Sequence, residues 1–128
     1  MTAEAPLAIR LLRTVAAIVI GIGFVALSRN VASSMPYLGA SLGVSAFGAL
    51  MGGWLTARTA PFAPFRHAIG LAAIIATLSI AAVVTAPASA VSVWIAGVVA
   101  FVDVAGVLLG GWLRASAAAT PPAGGVIV

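Results

Sequence analysis

The chain's 128 residues are 63% hydrophobic and only 6% charged, whereas a soluble domain carries about 25% charged residues; this excludes a water-facing surface and predicts one all-α membrane domain. All six positive charges are arginines, the net charge is +4 and there is no cysteine, which excludes disulfides, thiolate metal sites and thiol catalysis. The arginines stand singly or in pairs at the ends of apolar runs rather than along one face, so they read as topology signals and exclude nucleic acid as a partner.

A helix needs ~20 apolar residues to cross a hydrocarbon core of about 30 Å. Four runs have that length, at about 7–27, 37–57, 67–86 and 91–113. The first carries Arg10 and Arg13 near its start, where long stems can snorkel to the interface. With V-A-S at 31–33 it weakly resembles a secretory signal, a reading that Arg29 opposes. Residues 28–36, with Arg29, Asn30, three serines and Pro36, predict a polar loop. The second run ends at Arg58, before T-A-P-F-A-P-F-R, where two prolines stop any helix and two phenylalanines suit the headgroup level. His67, the sole histidine, opens the third run and is expected at the interface; one histidine with no thiol cannot hold haem or zinc, so no cofactor or metal is expected. The uncharged segment 85–92 predicts an antiparallel hairpin into the fourth run. The domain is expected over 1–114, with 115–128 a disordered, small-residue cytoplasmic tail.

Four crossings put Arg10, Arg13, Arg58, Arg66 and Arg114 on one side and Arg29 on the other. Positive charge is retained inside, so both termini are expected in the cytoplasm of a cell that carries the protein in its inner (plasma) membrane. Trp54 and Trp112 then fall at the inner level and Tyr37 and Trp94 at the outer one, as interfacial anchors.

The second and fourth runs end alike. G-A-L-M-G-G-W-L-T-A-R at 48–58 and G-V-L-L-G-G-W-L-R-A-S at 106–116 share seven of eleven residues at an offset of 58. An offset of two crossings preserves direction, which predicts a parallel tandem repeat of a two-helix hairpin in a pseudo-twofold bundle. Gly39 and Gly43, Gly48 and Gly52, Ala49 and Gly53, and Gly106 and Gly110, with Gly111 beside them, are spaced for close helix packing.

Asp103 stands mid-run, where an acid costs about 2.5–3.5 kcal/mol to insert and must face inward. The repeat superposes Ser45 on it, and Thr77 of the third run reaches its depth. With Arg29 assigned to a loop, no counter-charge is expected there, so the carboxyl is expected to stay protonated and to bond those hydroxyls. No set of nucleophile, base and orienting acid can be assembled, so no catalytic residue is expected. Two four-helix families of this size differ from the chain at their defining residues: small multidrug transporters need a glutamate in the first span, where only Glu4 precedes it, and fluoride channels a pore asparagine, where only Asn30 occurs. The expectation is a non-catalytic accessory or structural membrane subunit, packing with itself as a homo-oligomer or with a larger membrane partner in the lipid bilayer. The alternative is a small oligomeric transporter or channel using Asp103 for proton or cation coupling.

Overall fold

The computed structural model describes residues 7–60, 62–85 and 92–119, all of them helical apart from short connections. Its four helices are α1 (Leu7–Ser33), α2 (Leu38–Thr59), α3 (Pro64–Thr85) and α4 (Val93–Ala119). Each is long and apolar enough to cross a membrane.

Two helices run well past the ends expected from sequence, for the same physical reason, and α3 opens at Pro64 rather than at about 67, since Pro suits the first position of a helix. A charge does not stop a helix, but Pro does. α1 therefore runs through Arg29 and Asn30 to Ser33, close to Pro36, so Arg29 lies in a helix and not in a loop. α4 likewise continues past Arg114 through S-A-A-A to Ala119, into the segment expected to be a tail, because alanine is the strongest helix former. The rest of that tail, and most of the 85–92 connection, lie outside the described residues. At the α2–α3 connection Ala63 adopts φ 45°, a left-handed conformation uncommon for a residue with a Cβ, in order to reverse the chain ahead of Pro64.

The helices surround a core of small and polar residues. Ala17, Ala49 and Ala68 are fully buried, and the largest fully buried side chains are Leu71, Val107, Thr56 and Asp103. The large apolar side chains point outward, among them Leu12, Val84, Phe101 and Trp94. In water this would be inside out; among lipid chains it is the expected arrangement, since burying leucine there gains nothing and close backbone packing gains dispersion.

α2 and α4 form the central seam. They run parallel: Ser45 meets Asp103, 58 residues away, and Gly53 and Gly110 lie against the backbones of Val107 and Leu50 respectively. A Cβ at either glycine would collide with a carbonyl of the facing helix. α1 packs antiparallel on the far face of α2, where Gly48 lies against Ser28 and Gly52 against Val25 and the Gly21 carbonyl. α3 packs on α4 through Ala68 at Gly111, and reaches α1 through Leu71 at Gly21. Gly39 and Gly43 correct the sequence expectation. Nothing lies within 4 Å of a Cβ built on either, so among the described residues they meet no facing helix. They sit on the outward face of α2 beside Phe47, which is exposed.

Candidate functional site

Each of the four helices supplies one residue to a single polar cluster. Asp103 from α4 is completely buried. Its Oδ1 accepts a hydrogen bond from the Ser45 hydroxyl of α2 at 2.6 Å. Its Oδ2 receives the Nε–H edge of Arg29 from α1 at 2.5 Å, and Nη2 of the same guanidinium completes the ion pair. Nη2 also donates to the Ser79 hydroxyl of α3 at 2.9 Å. No buried side-chain nitrogen or oxygen among the described residues lacks a partner.

The helix faces explain why these residues meet. On α1 the buried positions Ala17, Gly21 and Val25 recur every four residues, and Arg29 is the next step on that stripe. Its base lies one turn from the end of α1, and its long stem carries the guanidinium back into the bundle with the side chain one-third exposed. On α3 the buried residues Ala68, Leu71, Ala72, Ile75 and Ser79 form one stripe at helical spacing. Thr77 is two residues from Ser79, on roughly the opposite side, and its exposed hydroxyl bonds the Ala73 carbonyl of its own helix. Depth alone selected Thr77; the face selects Ser79.

The expectation that Asp103 lacks a counter-charge is therefore corrected. It is one half of a buried ion pair whose arginine had been assigned to a loop. Such a pair is costly to desolvate and is retained when geometry and further hydrogen bonds satisfy both ions. Here both carboxylate oxygens are occupied and the guanidinium has a second acceptor in Ser79. Arg29 and Ser79 are the two members that the sequence reading missed, and the stripes on α1 and α3 were the signal that could have found them.

A second polar contact stands at the opposite end of the bundle. His67 is buried; its Nδ1–H donates to the Ala63 carbonyl at 3.2 Å, which leaves Nε2 to accept from the Thr14 hydroxyl of α1 at 3.3 Å. Phe62 meets the imidazole edge-on at 5.7 Å between centroids. Ala63 thus uses its strained conformation to present one carbonyl to both the Arg66 amide and the histidine. His67 thereby joins α1 to the α2–α3 turn at this end of the bundle. Nearby, the buried Thr56 hydroxyl donates to the Ala17 carbonyl, joining α2 to α1.

The four aromatic positions lie toward helix ends. Tyr37 precedes α2 and Trp94 opens α4, both exposed, while Trp54 is half-buried and Trp112 exposed toward the far ends of those helices. Among the described residues no group of three or more His, Asp, Glu or Cys side chains is placed to hold a metal ion. No family model, no curated protein and no solved structure matches the chain.

Proposed function

We propose that the protein is a non-catalytic, multi-pass membrane protein, an accessory or structural subunit whose rigid bundle packs with copies of itself or with a larger membrane partner. One observation carries this reading. Asp103 has no exposed surface and both of its oxygens are engaged by side chains of α1 and α2. An acid that moves protons or cations must reach a water-filled path, whereas an acid that braces helices needs only partners, and the second describes Asp103. The outward-facing apolar side chains and the four long apolar helices support insertion in the bilayer. The arginine distribution supports both termini lying in the cytoplasm.

The matching tails of α2 and α4 are best read as a duplicated hairpin. Their parallel course and the meeting of Ser45 with its repeat-mate Asp103 support that reading. The two tails have since diverged in rotation, for Gly52 faces α1 and Gly53 faces α4, while Gly110 faces α2 and Gly111 faces α3. A strict twofold would give Gly52 and Gly110 equivalent neighbours. The small-residue spacings thus serve packing, but to different partners in the two halves.

The test is flux. Protein reconstituted in liposomes should pass protons and monovalent cations no faster than empty vesicles, and Asp103→Asn should change nothing. Flux above the empty-vesicle rate that Asp103→Asn abolishes would overturn the accessory reading in favour of a small oligomeric transporter or channel.

A further inference from the structure

Ser45 and Asp103 are buried and bonded to each other, which fixes the level at which the parallel helices α2 and α4 stand side by side. Residues two apart on a helix point to nearly opposite sides. Gly43 and Phe47, two before and two after Ser45, therefore face away from the core, and so do Phe101 and Ala105, two before and two after Asp103. All four are exposed, and a Cβ at Gly43 would meet nothing within 4 Å. Because α1 flanks α2 and α3 flanks α4, the outward sides of the two central helices make one face of the bundle. Along that face α2 presents a gap and then a ring, while α4 at the same two levels presents a ring and then a gap.

This pattern is complementary to itself. A second copy, turned by half a rotation about the membrane normal, sets its α4 on α2 of the first copy and its α2 on α4, with all four helices parallel and level. Phe101 of each copy then meets Gly43 of the other, and Phe47 meets Ala105, so every ring enters the space over a small residue. The area is sufficient. Phe47 is 64% exposed, Phe101 74% and Trp112, on the same side of α4, 54%. At roughly 150–250 Å² for a whole aromatic side chain, these rings offer on the order of 600–1,000 Å² over two copies before any neighbour is added, against the ~1,000 Å² that a specific interface clears. Residues 39–54 and 97–112 carry no charge apart from Asp103, which faces the core, so the two faces can close without desolvating an ion. We propose that the α2–α4 face binds a second copy of this chain in an isologous, parallel dimer, with Phe101 seated on Gly43 and Phe47 on Ala105 across the interface. This inference rests on the accessory membrane reading given above and names its partner.

The test is energy transfer between full-length copies labelled at the N-terminus with donor or acceptor dye and mixed in phosphatidylcholine liposomes at falling protein-to-lipid ratio. Native copies should show transfer that saturates as a dimer. Gly43→Phe sets ring against ring and should weaken the dimer roughly tenfold to a hundredfold, as overpacking does. Phe101→Ala, which removes the ring from α4, should weaken it by a smaller factor. The two changes together move the ring from one helix to the other and should recover about tenfold of the loss seen in Gly43→Phe, a coupling that only residues in contact show. Leu12→Phe, on the exposed side of α1, should leave the dimer unchanged. Absence of transfer between native copies, native affinity in Gly43→Phe, or a double variant no tighter than Gly43→Phe alone would overturn the proposal. Circular dichroism of each variant checks the fold, and loss of helicity in Gly43→Phe would itself contradict an open face at that glycine. Dimers that also conduct cations would leave this face standing and overturn the accessory reading, whereas a monomer without flux would overturn the face and leave an accessory to a larger partner.

Discussion

The α2–α4 seam and the α1–α3 contact hold helices together by opposite means. Along the seam, glycines let backbones touch: Gly53 lies on the Val107 carbonyl and Gly110 on that of Leu50. Between α1 and α3 the backbones stay further apart and side chains span the gap, Thr14 to His67 at one end and Arg29 to Ser79 at the other. On the proposed membrane reading, the difference shows what remains for helix association when apolar burial drives nothing. One route is close dispersion contact, which any bulkier side chain destroys; the other is polar bonding, which only the right partner satisfies. Asp103 is where the two routes meet, since it projects from the seam and is bonded from α1.

The largest expected effect comes from breaking the polar route at its charge. Arg29→Met leaves a fully buried carboxylate without its counter-ion, a loss on the order of 3–5 kcal/mol, measurable as reversible unfolding in mixed micelles. A loss below about 1 kcal/mol would show that solvent or lipid headgroups satisfy Asp103 unaided.

Breaking the seam should cost somewhat less. Gly53→Val or Gly110→Val places a branched side chain against a facing carbonyl and should destabilise by about 1–3 kcal/mol or more, as overpacking does. Gly43→Val, with nothing within 4 Å, should change the monomeric bundle by less than about 0.5 kcal/mol. Equal losses at the two kinds of glycine would mean that helix propensity, and not close approach, sets the effect.

Smaller effects sharpen the assignment of hydroxyls. Ser45→Ala removes a donor to a buried carboxylate and should cost about 1.5–3 kcal/mol, with Ser79→Ala nearer 1 kcal/mol because its partner Arg29 is one-third exposed. Thr77→Ala should be nearly silent in the same unfolding assay. Smallest is Ala63→Gly, which relieves the left-handed strain at φ 45° and should raise stability by up to about 1 kcal/mol, provided His67 keeps its carbonyl.

Much of this architecture was legible in the sequence because lipid imposes a simple rule, a run of about 20 apolar residues for each crossing. That rule gave four helices, and the repeated G-G-W-L tails paired Ser45 with Asp103, two residues that the fold bonds to each other. It failed at Arg29, where a charge was taken as the end of a helix although no Pro or Gly followed until Pro36. That one misplaced boundary hid the counter-ion and left Asp103 without a partner. Thr77 failed differently: its depth was right, but residues two apart on a helix point to nearly opposite sides. Gly39 and Gly43 have the spacing of a packing motif, yet spacing does not say which glycines face a neighbour.

The central claim, that Arg29 and Asp103 brace the bundle as a pair, is tested most directly by a double-mutant cycle in stability. Arg29→Met and Asp103→Leu should each destabilise by several kcal/mol, while the double variant should recover most of either loss, since two apolar residues of similar volume leave no buried charge, giving a coupling energy at least as large as the smaller single loss. Losses that simply add in the double variant would contradict the account.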